Sequence, residues 1–239
     1  MKISIIGYGK MGQLVEKIAL KKGYEILFIA NESNWESSDI QGSDVAIEFS
    51  TPDCAVKNIN YCFDAGVPVV VGTTGWHSDL NLVLAQCKSR NGTLLYSTNF
   101  SLGVNIFFEI NKKLASLMSK HPDYKVSIHE THHTQKLDEP SGTAITIADQ
   151  IISNHDSYNQ WNLAQEFDSP VADSIAVKAL RNKDVKGIHT ISFQNNIDEI
   201  TITHNAKTRE GFAHGALLAA EFIKDKKGVF SMQDVLAIQ

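Results

Sequence analysis

Residues 2–30 read KISIIGYGKMGQLVEKIALKKGYEILFIA, and the fold of the first part of the chain can be predicted from them. Lys2–Ile6 has the composition of a short buried strand, and residues 7–12 form the pattern G-x-G-x-x-G ahead of an amphipathic helix. Gly23 ends that helix before a second apolar run at Ile26–Ala30. Between a strand and a helix, such glycines permit a tight turn, close approach of a pyrophosphate and close helix packing. This context predicts a dinucleotide site.

The residue that reads the adenosine ribose is expected at the end of the second strand, about 20 residues beyond the glycines. Asn31 and Glu32 stand there. Glu32 could bind the ribose diol and favour NAD, whereas Asn31 in its place would be less selective. Lys10 could meet a 2′-phosphate. The sequence therefore leaves the choice between NADH and NADPH open.

Further strand and helix patterns alternate as far as Asn99, which favours a parallel sheet covered on both faces. Small polar residues follow the predicted strands at 49–52, 72–75 and 97–100. In an open parallel sheet these carboxyl ends line the ligand crevice. Each segment could equally be an ordinary turn.

After Asn99 the pattern changes to a long helix at 104–119 and then to strands of alternating polarity. Alternation indicates a mixed or mostly antiparallel sheet with one buried face. Residues 154–173, which include Trp161 and Phe167, are expected to form a loop or short helix. The predicted class is α/β, with an N-terminal Rossmann-type parallel-sheet domain and an α+β substrate domain built on a mixed sheet. The expected boundaries are 1–99 with 209–239 for the dinucleotide domain, and 100–208 for the substrate-binding and oligomerisation domain.

The second informative stretch is residues 126–144, VSIHETHHTQKLDEPSGTA. Ser141 is a good N-cap residue and Gly142 lets a ligand approach the backbone, so the helix that follows offers free N–H groups to an anion. His132, His133 and Lys136 lie where the preceding strand ends. A histidine that titrates near neutrality beside a lysine suits an acid that protonates a bound anionic substrate.

Residues 129–133 also match H-E-x-x-H, a zinc-protease pattern that requires a helix. In a strand the two outer histidines would lie about 13 Å apart, at about 3.3 Å per residue. They could not share one ion. We therefore expect no metal site.

Bulk properties exclude several classes of function. With 239 residues, a net charge of −5 and a pI near 6.0, the chain has no general nucleic-acid or anionic-membrane surface. Cys54, Cys62 and Cys87 show no metal-ligand spacing and are expected to be reduced structural thiols. No signal peptide or membrane-spanning apolar stretch is seen, so a cytoplasmic location is expected.

Four segments together resemble the 4-hydroxy-tetrahydrodipicolinate reductase (dihydrodipicolinate reductase) family of the diaminopimelate and lysine pathway. They are GYGKMG at 7–12, GTTG at 72–75, STNFSLGVN at 97–105 and ETHHTQKLDEPSGTA at 130–144. The resemblance implies hydride transfer from NADH or NADPH to a cyclic dicarboxylate imine, which gives tetrahydrodipicolinate. It also implies a homotetramer built through the substrate-domain sheets.

The resemblance further implies roles for individual residues. His132 matches the family's proton donor and acceptor, and Lys136 its second catalytic proton donor. The substrate-binding positions are His133, Ser141, Gly142 and Thr143. Together with Asn31, the predicted cofactor contacts are Gly7, Tyr8, Gly9, Lys10, Met11, Gly12, Gly72, Thr73, Thr74, Ser97, Thr98, Asn99 and Phe100.

Two alternatives are kept at this point. One is another NAD(P)-dependent dehydrogenase of similar architecture, because fold alone does not fix a reaction. The other is a non-catalytic NAD(P)-sensing protein, although the presence of both His132 and Lys136 argues against it. The chain departs from the family in a shorter loop after the second strand and in Lys10, where an arginine is usual.

Overall fold

A computed structural model of the chain describes residues 1–31, 34–136, 138–164 and 171–237. The chain divides into two compact units. The first comprises Met1–Leu102 and Glu210–Gln239, and the second comprises Gly103–Arg209.

The first unit is built on a six-stranded parallel sheet, as the βα pattern predicts. The strands are β1 (Lys2–Ile6), β2 (Glu25–Ala30), β3 (Val45–Glu48), β4 (Val69–Val71), β5 (Thr93–Tyr96) and β11 (Gly228–Phe230). Their order across the sheet is β11-β5-β4-β3-β1-β2. The helices are α1 (Lys10–Lys21), α2 (Pro52–Asp64), α3 (Leu80–Ser89), α6 (Glu210–Ile223) and α7 (Met232–Val235).

Both faces of this sheet are covered, which explains its continuous apolar strands. Ile3 and Ile5 belong to a core shared with α1 and α6. Ile6 belongs to a second core shared with α2 and α3. Strand β11 extends the sheet by pairing with β5, a three-residue addition that the sequence pattern did not reveal.

The second unit contains a five-stranded mixed sheet, of the class predicted from the alternating strands. The strands are β6 (Lys125–His132), β7 (Gln160–Leu163), β8 (Ser174–Arg181), β9 (Ile188–Gln194) and β10 (Glu199–Asn205). Their order is β10-β9-β6-β8-β7, in which β8 runs parallel to β6 and β7, and β9 runs antiparallel to β6 and β10. Helices α4 (Leu102–Met118) and α5 (Gly142–Asn154) contribute to the core that buries one face.

Strand β7 corrects the expectation of a loop or short helix at 154–173. Its sequence, QWNL, has polar residues at both ends of a very short run, so no alternation is visible. Trp161 packs against the core of the second unit, and β7 pairs in parallel with β8. Tertiary packing thus stabilises a strand that the local sequence pattern does not predict. Phe167 lies outside the described residues.

Within the described ranges, every helix is too short or too polar to cross a membrane.

Candidate active site

The glycine turn of the first unit has a distinct physical requirement at each glycine. Gly7 has φ of 90°, and a Cβ there would lie 2.2 Å from the carbonyl oxygen of Phe49. A Cβ at Gly12 would lie 2.1 Å from the Gly7 carbonyl oxygen. Only a glycine at position 12 therefore lets the first turn of α1 pack against the glycine turn. At Gly9 a Cβ would meet nothing within 4 Å. The backbone at Gly9 is therefore open to a ligand.

A cavity of about 340 Å³ lies at the carboxyl ends of β1, β2 and β3. Neighbouring strands lie on either side of β1, so this is the point where strand order reverses and where open α/β sheets bind ligands. Four of the predicted cofactor residues line it, namely Gly7, Tyr8, Gly9 and Asn31. Glu32, the alternative ribose reader, lies outside the described residues.

The cavity also has a wall that the sequence did not reveal. Trp35 donates from Nε1 to Oδ1 of Asn58 at 3.2 Å, and Asn58 Nδ2 donates to Oε1 of Glu48 at 3.3 Å. Glu48 is fully buried, and burial raises the pKa of its carboxyl. Trp35, Ser50 and Asn58 line the cavity and Glu48 holds two of them. An asparagine within a helix and a tryptophan in a loop give no local motif, so only the fold brings them together.

The loops at 72–74 and 97–100 lie at the same carboxyl edge of the sheet. The backbone N–H of Ser50 donates to Oγ1 of Thr73 at 2.8 Å, which ties the end of β3 to the loop after β4. Ser97 Oγ accepts from the backbone N–H of Asn99 at 3.1 Å and so shapes the loop after β5. Phe100 is buried in the core. Ten predicted cofactor residues, all within the described ranges, do not line the cavity: Lys10, Met11, Gly12, Gly72, Thr73, Thr74, Ser97, Thr98, Asn99 and Phe100.

In the second unit, sheet register assembles a cluster of charged side chains at the end of β6. Glu130 and His132 are two residues apart and share the buried face of the strand. Glu130 lies opposite His189 on β9, and His132 lies beside Arg181 on β8. Three strands therefore contribute to one site, and β6 is far in sequence from the other two.

Glu130 lies at the centre of this cluster and is fully buried. Its Oε1 accepts a hydrogen bond from the backbone N–H of Ser141 at 3.0 Å and lies 3.6 Å from Nη1 of Arg181. Its Oε2 lies 3.4 Å from Nδ1 of His132 and 3.6 Å from Nε2 of His189. Oε2 and the His132 Nδ1 have no hydrogen-bond partner among the described residues. The carboxylate thus connects both histidines, the arginine and the turn before α5.

Burial and charge set the protonation of these groups. Burial lowers the pKa of His132 to about 4. The carboxylate of Glu130 opposes that shift, whereas His189, Lys136 and Arg181 add to it. For Glu130, burial raises the pKa, but the neighbouring His189 and the hydrogen bond from the Ser141 N–H outweigh burial and lower it overall. In the unliganded protein near pH 7, Glu130 is therefore charged and His132 neutral.

The turn at 141–143 begins α5, as predicted. Ser141 is the N-cap residue, and its Oγ accepts from the backbone N–H of Ala144 at 3.2 Å and lies 3.2 Å from Nε2 of His189. Gly142 is exposed, and a Cβ there would meet nothing within 4 Å. Thr143 is half-buried. The helix N-terminus is thus accessible to an anion.

Lys136 lies in the loop between β6 and α5. Its Nζ is 2.8 Å from Oδ2 of Asp138, and its backbone N–H donates to the carbonyl oxygen of His133 at 3.1 Å. Arg181 donates to the carbonyl oxygens of Lys136 at 3.4 Å and Asp138 at 2.7 Å, which anchors the loop to β8. Lys136 is close enough to His132 to influence its pKa. The structure therefore brings His132, His133, Lys136 and Ser141 into one region.

The helical zinc motif is excluded because its first histidine, His129, lies in strand β6 and its second, His133, directly follows that strand. The structure instead groups Glu130, His132 and His189, whose potential ligand atoms lie within 4.8 Å of one another. The guanidinium of Arg181 already faces Glu130, and Lys136 adds positive charge nearby. These cations disfavour a metal ion, so we assign none.

Comparison with known proteins is consistent along the whole chain. The family model described as "Dihydrodipicolinate reductase, N-terminus" matches residues 1–100. The model described as "Dihydrodipicolinate reductase, C-terminus" matches residues 103–236. A dipicolinate-bound dihydrodipicolinate reductase from Paenisporosarcina sp. TG-14 has the same fold, with a TM-score of 0.78, 22% identity and coverage of 100% of this chain and 99% of that one.

Relatives at higher identity bear one name. The 4-hydroxy-tetrahydrodipicolinate reductase of Christiangramia forsetii is 47% identical over 239 residues, which span 99% of this chain and 98% of that protein. The protein of the same name from Archaeoglobus fulgidus is 34% identical over 260 residues, with 99% and 100% of the two chains covered. The chain belongs to the dihydrodipicolinate reductase family.

Proposed function

We propose that this protein reduces 4-hydroxy-tetrahydrodipicolinate to tetrahydrodipicolinate with NADH or NADPH, in the diaminopimelate and lysine pathway. The observation that carries the proposal is the end of β6, where His132, Lys136 and the Ser141 turn lie together in one unit. A proton donor, a cation and an anion-binding helix terminus are what reduction of a dicarboxylate imine requires.

In the overall reaction the substrate gains a hydride and a proton and loses water. The bound nicotinamide supplies the hydride. His132 supplies the proton from Nε2, the ring nitrogen opposite the one that faces Glu130. His132 is neutral in the unliganded protein, but the two substrate carboxylates bring negative charge that raises its pKa. Substrate binding therefore charges the acid that the reaction consumes.

The remaining residues of the second unit hold the substrate. The exposed backbone of Gly142 and the half-buried Thr143 at the start of α5 bind one carboxylate, with the helix dipole favouring the negative charge. Lys136 leaves Asp138 to pair with the substrate and draws electrons from the ring as the hydride arrives. His133, half-buried just beyond β6, adds a hydrogen bond.

The crevice of the first unit would hold the cofactor. Gly9 would let the pyrophosphate reach the backbone at the start of α1, and Asn31 would bind the ribose. The loops at 72–74 and 97–100 would hold the nicotinamide half.

The protein acts as a homotetramer in the cytoplasm. The outer face of the mixed sheet supports this assembly, since it carries hydroxyl pairs between β9 and β10, Thr190 with Thr203 at 3.0 Å and Ser192 with Thr201 at 3.1 Å. Leu180 on β8, which lies beside Thr131, is an exposed large apolar side chain on the same face. Light scattering after size exclusion gives the mass, and a monomer would contradict the assembly.

The test of the site is Lys136→Ala, assayed with substrate made from pyruvate and aspartate semialdehyde by the synthase of the preceding step. Turnover should fall by about 10²-fold or more, and the KM for substrate should rise, because a cation is lost from both binding and reaction. The KM for NADH should stay unchanged. Lys120→Ala, on an exposed turn, is the control. Wild-type substrate kinetics in Lys136→Ala would contradict the proposal.

A further inference from the structure

We propose that Glu130 is a positioning residue for His132, which fixes the tautomer of its imidazole and stabilises the imidazolium that donates the proton. The inference rests on the proposed role of His132. It assigns a function to a fully buried carboxylate, to which the motif itself gives no role.

The carboxyl group of Glu130 is buried and yet stays charged. Glu130 is fully buried, and a buried carboxylate is costly unless its charge is compensated. Its compensation comes from Arg181, His189 and the Ser141 N–H. A leucine of similar volume would avoid the cost, so structural stability alone does not account for the charge.

One oxygen of the Glu130 carboxylate faces His132. Oε1 is occupied by the Ser141 N–H and by Arg181, whereas Oε2 has no hydrogen bond and lies 3.4 Å from Nδ1 of His132, which also lacks one. A carboxylate accepts only, so the neutral imidazole carries its proton on Nδ1 and leaves Nε2 available. Such contacts tighten in the substrate complex, when the imidazole becomes charged.

The other ring nitrogen of His132, Nε2, lies beside a glycine. Gly187, in the turn before β9, lies against the outer edge of the imidazole, and a Cβ there would lie 3.2 Å from Nε2. Glu130 thus contacts the Nδ1 side of the imidazole, and the absence of a side chain at Gly187 leaves space at Nε2.

The charged and titratable groups around His132 determine how its pKa responds to substitution. Glu130 on the same strand raises it, whereas His189 on β9, Lys136 in the loop and Arg181 on β8 lower it. The side chain of Asp138, which pairs with Lys136, is also close enough to interact with His132. Removal of Glu130 and removal of Arg181 therefore shift the pKa of His132 in opposite directions.

The experiment is the pH profile of kcat for Glu130→Gln and Arg181→Gln. A general acid is deprotonated above its pKa, so kcat falls on the alkaline limb of the profile. This limb should move to lower pH by about one unit in Glu130→Gln and to higher pH in Arg181→Gln. A shift of one unit corresponds to about tenfold lower kcat at a fixed pH on that limb. The amide oxygen of glutamine still accepts from Ser141, so the KM for substrate should change by less than about threefold.

Controls separate this inference from simple damage to the fold. Glu199→Gln, an exposed carboxylate at the start of β10, should keep the wild-type profile. If Glu130→Gln fails to fold, the upward shift in Arg181→Gln supports the inference and an unmoved limb overturns it. Unmoved limbs in both variants, with His132→Ala inactive, overturn the inference alone. Normal turnover in His132→Ala would overturn the proposed role of His132 as well.

Discussion

The two units build their sites by different means. The crevice of the first unit depends on the backbone conformation at Gly7, Gly9 and Gly12, which lie close together in the sequence. The cluster of the second unit depends on buried charged side chains from β6, β8 and β9, which sheet register brings together. A site made from backbone is local and can be recognised as a motif, whereas a site made from charges across strands emerges only with the fold.

The largest effect is expected in the second unit, for His132→Ala. Turnover should fall by about 10²–10⁴-fold, because a general acid is lost. Cofactor binding by the first unit should be unchanged, as measured by fluorescence titration with NADH. His121→Ala, an exposed histidine before β6, serves as the control. A near-normal rate would contradict the assignment of the acid.

A matched pair of glycine substitutions tests whether the first unit binds the cofactor and the second unit binds the substrate. At both Gly9 and Gly142 a Cβ would meet nothing within 4 Å, so alanine fits either position without disturbing the fold. Gly9→Ala should raise the KM for NADH about tenfold and leave the KM for substrate unchanged, because its methyl group occupies the space for the pyrophosphate. Gly142→Ala should show the reverse, and each variant is the control for the other. If either variant changed the KM for NADH and the KM for substrate equally, the assignment of one ligand to each unit would be contradicted.

Cofactor preference should respond to a smaller change in the first unit. Asn31 lines the crevice at the end of β2. Asn31→Asp should shift the ratio of kcat/KM toward NADH by several-fold, roughly 1 kcal/mol, because a carboxylate binds the ribose diol and repels a 2′-phosphate. Asn34→Asp, also exposed, is the control. An unchanged ratio would show that Asn31 does not read the ribose.

The smallest effect is a difference in how the two units depend on pH. The pKa of His132 is lowered on folding to about 4, so only the unfolded chain takes up its proton as pH falls from 7.5 to 5, and stability is lost. The free energy of unfolding of the wild type should therefore drop by about 1–2 kcal/mol relative to His132→Ala over this range. The pKa of Glu48 is raised by burial, so its contribution has the opposite sign and is lost as pH rises.

Urea unfolding at several pH values measures both effects. The wild type should gain stability relative to Glu48→Gln as pH falls, while it loses stability relative to His132→Ala. If the free energy of unfolding of the wild type and of one variant changed equally with pH, the shifted pKa of the residue replaced in that variant would be contradicted.

Much of the fold could be predicted because its signals are local. The glycine turn, the βα alternation, the change to alternating strands and the N-cap at Ser141 each identified an element, and the predicted fold class and family are confirmed. Strand β7 was wrongly expected to be a loop or short helix, since QWNL is too short to show a period.

The sites were predictable only in part. The residues of 130–144 were found because a contiguous motif carries them, and their roles stay predictions. Arg181 and His189 were missed, because neither belongs to a motif that identifies it. Trp35 and Asn58 were missed because their contact depends on how α2 packs. In each case the missing information was a pairing between distant segments, which no local pattern contains.

The most direct test of the central claim is a coupled assay with the wild-type protein. The synthase generates substrate from pyruvate and aspartate semialdehyde, and the loss of absorbance at 340 nm is followed separately for NADH and NADPH. The account predicts rapid oxidation of at least one nucleotide that depends on the synthase product, with one equivalent consumed for each tetrahydrodipicolinate formed. No oxidation of either nucleotide by folded, cofactor-binding protein would contradict it, and would favour a different dehydrogenase or a nucleotide sensor.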